Sequence, residues 1–391
     1  MARPSYAVIL ALLCLTTFGV KSLYLFSMSN GLFEIFGHVL ETDTLPDNVP
    51  LKPITTHGWS SKIDWQIKAP AAFCWSFAGD GTHPDTTLSG LLFVGTWGPA
   101  WLLIVLESLR RGNRWRIVSF DSIWGVLVFN HSHAVVTPLY FASHLFTSPV
   151  AIKPTADDVL IDAIDLFVIP PSFLLGYVVP IILIALPAPA LVSLVFKQTV
   201  MGWYQQWNLF ISIIHFLLAS ITRNVPVPCT MLNTESRRCH RLRRTVYAFA
   251  FIMGAVPHWI VCVISFTAGI WPQLFNPSIS HRLHPSHLLV PTCPFSDAKV
   301  ADLAQGFMWL IQWDYTIGTA ASISWAAAVY RRARPGYNRV ALSWKILKYT
   351  LAGGPVGAAV GLIWERDEFL LSRNPRDLRV ENTERCPLLQ H

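Results

Sequence analysis

Gln305–Tyr330 reads QGFMWLIQWDYTIGTAASISWAAAVY. At roughly 1.5 Å per residue such a stretch is long enough to cross the hydrocarbon core of a bilayer as one helix. One carboxylate, Asp314, lies in its interior. Placing an ionised Asp at the centre of a membrane helix costs about 2.5–3.5 kcal/mol even on lenient insertion scales, so a residue of this kind normally faces a protein-lined cavity and has a role there. Its neighbours are aromatic: Trp313 and Tyr315 adjoin it, Trp309 lies one turn before Trp313, and Phe307, Asp314, Gly318 and Trp325 recur at helical spacing. A carboxyl in an apolar pocket keeps its proton because the charged form is poorly solvated, which suits it to general acid catalysis, while aromatic faces attract cations. The plainer reading has Asp314 bonding a neighbouring helix and the tryptophans anchoring the chain at the membrane interface.

The rest of the chain supports a membrane solvent. Of 391 residues, 52% are hydrophobic and 14% charged, with a mean hydropathy of +0.42. That excludes a soluble domain with one core and points to an all-α, polytopic transmembrane helical bundle of about seven or eight membrane segments. The net charge of +7 does not point to nucleic acid, because the arginines gather in short loops between apolar runs, where they set orientation. The clusters at 110–116, 222–245 and 331–345 are accordingly expected to face the cytosol. Seven cysteines stand without CxxC pairs or zinc-ligand spacing, so most are expected as free thiols and no structural metal is implied.

Taken in order, residues 1–28 form an N-terminal anchor or signal-like segment, with an uncleaved anchor favoured. Residues 29–87 read as a polar extramembrane loop, 88–370 as the transmembrane catalytic domain and 371–391 as a polar tail. Within the run 117–146, Asn130, His133, Thr137, Tyr140 and His144 recur every three or four residues and so share a helix face. That stripe fits interhelical hydrogen bonding and a cavity wall equally well. Asp157, Asp158, Asp162 and Asp165 fail the DDxxD pattern that holds magnesium on diphosphates, since Ile161 occupies the third acidic position; they read as an acidic loop and helix start. Placing the first two arginine clusters on one side requires an even number of crossings between them, yet three apolar segments intervene. The proline-rich 166–196 is therefore expected to be broken or re-entrant.

Several strings, in order, resemble the fungal integral-membrane terpene cyclases of ascofuranone-type and macrophorin-type meroterpenoid pathways. They are Leu106-Glu107-Ser108-Leu109-Arg110 with Gly112-Asn113, Val136-Thr137-Pro138-Leu139-Tyr140-Phe141 with Thr147-Ser148-Pro149, Gln312-Trp313-Asp314-Tyr315, and Gly354-Pro355 followed by Trp364-Glu365-Arg366-Asp367-Glu368. The resemblance implies acid-initiated, metal-independent ring closure on a farnesylated or epoxyfarnesyl aromatic or polyketide substrate. It implies no cofactor, a lipid bilayer as surroundings, and a prenyltransferase and an epoxidase acting upstream. A multi-pass protein of the endoplasmic reticulum is the matching location.

By residue type, Asp314, Glu107 and His133 suit the acid and base steps, and Trp309, Trp313, Tyr315, Tyr140 and Asn130 suit substrate binding. Glu107 also fits ion pairing, since it lies beside the first arginine cluster. Two other functions fit the same residues: a membrane acyltransferase using an intramembrane histidine (His131, His133 or His258), and a transporter whose path is lined by Asp314 and the polar stripe.

Overall fold

Helices begin where a polar side chain can hold the first free backbone N–H groups. The Ser60 hydroxyl accepts from Ile63 N, Asp162 from Ile164 N, Ser193 from Phe196 N, Asp302 from Gln305 N and Asn338 from Val340 N. The computed structural model describes residues 6–224, save 57 and 80, and 235–372. The expectations for the tail after 372, for Cys229 and Cys386, and for the side chains of Arg237 and Arg238 lie outside it.

Thirteen helices longer than two turns are described: α1 (Tyr6–Ser29), α2 (Leu32–Thr42), α3 (Ser61–Ala78), α4 (Pro84–Leu109), α5 (Asp121–His131), α6 (His133–Thr147), α7 (Ala163–Ala185), α8 (Leu194–Tyr204), α9 (Trp207–Asn224), α10 (Glu235–Ile270), α11 (Leu303–Ala333), α12 (Arg339–Gly353) and α13 (Pro355–Ser372). Among the described residues the only strands are the short antiparallel pair Thr44–Leu45 and Val49–Pro50. The fold is all-α. Four helices, α1, α4, α7 and the Cys239–Ile270 part of α10, are long and apolar enough to cross a membrane. Their outward surfaces carry exposed large side chains such as Leu10, Ile182, Ile252, Val256 and Phe266, while Glu107, Arg110, Arg366 and Asp367 are fully buried. Apolar residues outside and charges inside are what a lipid solvent selects.

α4 and α11 form the centre. α4 packs against α3, α10, α11 and α13, and α11 against α1, α4, α6 and α13. α11 has 31 residues, long enough to span, and its polar Gln312, Asp314, Thr319 and Ser322 are buried against protein.

Three sequence expectations are corrected. The segment 29–87 is not a loop, since it holds α2 and α3. Ile67, Ala71, Cys74 and Trp75 fall on one face of α3 and are buried, and α3 packs on α4 and α8. The charges at its start and Pro70 within it mask this amphipathic pattern. The run 117–146 is not one helix. It turns at Ser132, which adopts φ 70°, so Asn130 belongs to α5, apart from the stripe that His133, Thr137, Tyr140 and His144 form on α6. In α7 the chain passes Pro170, Pro171 and Pro180 without a break, slipping through one wide π turn at Leu174–Val178. The helix stops only at Leu186, ahead of Pro187 and Pro189.

These corrections account for the crossing parity. α5 and α6 have 11 and 15 residues, too few for the roughly 20 that a crossing takes. They form a hairpin that returns to its starting end. There Arg116 Nη1 donates to the Thr147 carbonyl at 2.8 Å and the Ser148 hydroxyl donates to Asn113 Oδ1 at 2.5 Å. α7 then runs to the opposite end, where Lys197 Nζ donates to the carbonyls of Gly79 and Leu186. α8 and α9 bring the chain back, and Arg223 pairs with Asp165 at 2.8 Å. The chain thus traverses the length of the bundle twice, not three times, between the first two arginine clusters. The segment that doubles back within the bundle is α5–α6, upstream of the proline-rich 166–196.

Candidate active site

Asp314 is 4% exposed and lies on the wall of a cavity of about 260 Å³. Its own helix contributes Phe307, Leu310 and Asp314, spaced three and four residues apart and so stacked on one face. Across from them stand Phe73 of α3, Phe93 and Trp97 of α4, and Tyr24 of α1. Asn130 and Ser132, at the hairpin turn, complete the polar part of the lining. Apart from the Tyr24 phenol, Asp314 is the one ionisable side chain on this wall among the described residues.

The hairpin turn also contacts the carboxylate. Asp314 Oδ1 accepts the Ala134 N–H at 2.5 Å, so Asp314 caps α6 from a helix 180 positions later in the chain. The first turn of a helix presents free N–H groups and the positive end of its dipole, an arrangement that stabilises a carboxylate once it forms. The site therefore combines a largely apolar, aromatic lining with a backbone N–H placed to hold a carboxylate.

The remaining candidates are distributed elsewhere. His133 is fully buried, with Nδ1 2.6 Å from the Thr137 hydroxyl. Its ring lies against Trp97, with centroids 5.7 Å apart, and over Gly318, where any Cβ would strike the imidazole. It is behind the cavity wall, not on it. Trp309 stacks on Phe26 at 5.9 Å, Trp313 meets Phe18 edge-on and donates to the Thr292 carbonyl at 2.8 Å, and the Tyr315 hydroxyl donates to the Leu288 carbonyl at 3.4 Å. None of the three lines the cavity. Residues adjoining Asp314 in sequence are turned about 100° from it on a helix, and Trp309, five positions away, is also rotated off its face. Tyr140 is likewise enclosed, its hydroxyl within reach of the Ile104 and Val118 carbonyls at 3.4 and 3.2 Å. The aromatic residues that do face Asp314, Phe73, Phe93 and Trp97, were missed. The i, i+4 spacing of Phe93 and Trp97 was the available signal, but nothing in sequence placed α3 opposite α11.

Glu107 belongs to a second buried cluster at the end of the bundle that bears the arginines. Its Oε1 is 2.9 Å from both Arg110 Nε and Arg366 Nη2, and its Oε2 is 3.0 Å from His144 Nε2. Asp367 pairs with Arg110 at 2.8 Å and Arg366 at 2.7 Å, and accepts the Tyr247 hydroxyl at 2.6 Å. Trp325 Nε1 donates to His144 Nδ1 at 3.0 Å. Two carboxylates face two guanidiniums, and this matching of opposite charges is how buried charge is tolerated. The acidic loop also has structural partners: Asp162 caps α7 and Asp165 pairs with Arg223 and His215.

The chain is 27% identical over 94% of its length to terpene cyclase ascI of Acremonium egyptiacum, covering 93% of that protein. It is 26% identical over 92% of its length to terpene cyclase ctvD of Aspergillus terreus, covering 98% of it. A more distant relative, the FAD-dependent monooxygenase anuJ of Penicillium roqueforti, is 22% identical over 73% of this chain but only 32% of its own. No solved structure matches. The CtvD domain pattern spans residues 7–371, which takes in the Asp314 cavity and the Glu107 cluster alike, so the chain belongs to the CtvD domain family and is an enzyme of the terpene cyclase type.

Proposed function

We propose that the protein is a multi-pass membrane enzyme, of the endoplasmic reticulum, that closes a ring on a prenylated aromatic or polyketide substrate by protonating the tip of its prenyl chain. The observation that carries this reading is a lone carboxyl, Asp314, in the wall of an aromatic cavity, with the Ala134 N–H at 2.5 Å ready to hold the carboxylate it becomes. Asp314 donates its proton to the oxygen of a terminal epoxide. As the carbon–oxygen bond opens, a carbocation forms and an internal alkene attacks it, making the new carbon–carbon bond. Loss of a proton from carbon ends the sequence, so substrate and product have the same mass. Phe73, Phe93 and Trp97 supply π faces for the cation, and the apolar enclosure keeps water from capturing it.

An epoxide needs only protonation to open, whereas a diphosphate would need magnesium, and the acidic residues that came nearest to a magnesium motif serve here as a helix cap and ion pairs. In this reading the epoxide is supplied by an oxygenation that follows a prenyl transfer. The arginine-bearing end faces the cytosol in this reading.

Expression in a yeast without such a pathway, fed farnesylated phenols and their terminal epoxides, tests the proposal. A cyclised product of unchanged mass, formed equally well in EDTA, is expected. A product heavier by an acyl group, or activity lost on chelation and restored by magnesium, overturns it.

A further inference from the structure

α1 is not a regular helix. At Lys21–Leu25 it passes through a wide π turn, in which the Phe26 N–H reaches back to the Lys21 carbonyl. Such turns are rare in proteins and recur at functional sites. Here the flanking side chains are fixed by packing: Leu23 is buried with Ala134 and Ile317, and Phe26 stacks on Trp309 at 5.9 Å. Tyr24, between them, lines the Asp314 cavity and lies within electrostatic reach of its carboxyl.

Tyr24 is half-buried, and among the described residues its hydroxyl has no hydrogen-bond partner. The enclosed tyrosines differ, since Tyr140, Tyr177 and Tyr315 each give their proton to a backbone carbonyl. A phenol is a hydrogen-bond donor at neutral pH, and an aromatic wall offers this one no acceptor. The reaction proposed above brings one. An epoxide oxygen has two lone pairs, and the Asp314 proton takes only one of them. We propose that the Tyr24 hydroxyl donates a hydrogen bond to the other, which makes Tyr24 a second catalytic residue beside Asp314. The Asp314 proton moves to the oxygen, the carbon–oxygen bond breaks with its electron pair going to that oxygen, and Tyr24 keeps its own proton throughout. The proton lost from carbon at the close of the sequence balances the one Asp314 gave. The Tyr24 hydrogen bond strengthens as negative charge shifts onto the oxygen, so it favours the transition state over the bound substrate. This assignment rests on the cyclase reading above and adds to it a group that holds the oxygen being protonated.

The test uses Tyr24→Phe, which keeps the ring and removes only the donor. With farnesylphenol epoxide as substrate, kcat should fall about 10-fold or more while KM changes less than about threefold. Binding of the epoxide and of farnesylphenol itself is measured in nanodiscs on the Asp314→Asn protein, where turnover is slowed. Adding Tyr24→Phe there should lower the preference for the epoxide about fivefold and leave farnesylphenol binding unchanged. An unchanged preference overturns the inference, and so does an equal loss of affinity for both ligands. A preference that falls while the protein with Asp314 intact cyclises nothing leaves the Tyr24 contact standing and removes the cyclase reading. Cyclisation by Tyr24→Phe at the parent's rate does the reverse.

Discussion

Glu107 and Asp314 are both buried carboxyls on the two central helices, yet their surroundings are opposite. Glu107 has two guanidiniums and an imidazole on its two oxygens, and its charge is matched by a network that joins α4, α6 and α13. Among the described residues Asp314 has no cationic partner; it has a backbone N–H and a cavity. In low dielectric a matched charge fixes structure, because removing either member strands the other. An unmatched acid is held by enclosure and remains available to exchange its proton with whatever enters. Burial alone does not separate these roles; the partners do.

The largest effect is expected where the matched network is broken. Glu107→Ala leaves Arg110 and Arg366 short of a counter-charge, and loss of one member of a buried pair costs about 3–5 kcal/mol. The yield of folded protein and its melting temperature in detergent should both fall sharply. A variant that melts like the parent but is catalytically dead would move Glu107 into the chemistry and erase the contrast. Asp314→Asn comes next: Asn Oδ1 still accepts the Ala134 N–H, so folding and insertion should persist while turnover drops at least about 100-fold. Near-normal turnover in a folded protein would show Asp314 to be a helix cap only.

A smaller effect sharpens the comparison within the aromatic set. Trp97→Leu should slow cyclisation by an amount equivalent to about 0.5–2 kcal/mol through lost cation stabilisation, with Trp313→Leu closer to the parent because Trp313 faces Phe18 and Thr292. Turnover measured side by side decides it, and the reverse order would mean that the cavity described here is not where the cation forms. The smallest expected change is in labelling. Cysteines placed at Arg114 and Arg241 should react with a cytosolic maleimide reagent to the same extent, and opposite accessibility would undo the two-crossing path.

The sequence made the all-α class legible through its apolar runs, and Asp314 legible as a carboxylate out of place in one of them. Phe307 was also placed correctly, seven positions before Asp314 on the same helix face. Glu107-Ser108-Leu109-Arg110 and Arg366-Asp367 were visible as strings, but their meeting was not: Arg366 reaches Glu107 across 259 positions, and no local period encodes a pairing of that range. The hairpin was hidden because its reversal is made by Ser132 at φ 70° instead of by glycine or proline, so 117–146 scans as one apolar run. Trp309, Trp313 and Tyr315 were attractive because they adjoin Asp314 in sequence. A helix turns such neighbours away from one another, and the side chains that share its cavity come from α1, α3 and α4.

The α5–α6 hairpin has a consequence for biogenesis. Its turn exposes the N–H of Ala134 inside the bundle, and the acceptor for that group is synthesised 180 residues later. Until α11 leaves the ribosome, the turn has no carboxylate to close it, and an unsatisfied N–H costs several kcal/mol in hydrocarbon. In a chain inserted as proposed, the hairpin would enter as a loosely held element and lock only when α11 arrives. A nascent chain arrested before residue 303 should leave this turn open to protease, and one extended past residue 333 should protect it.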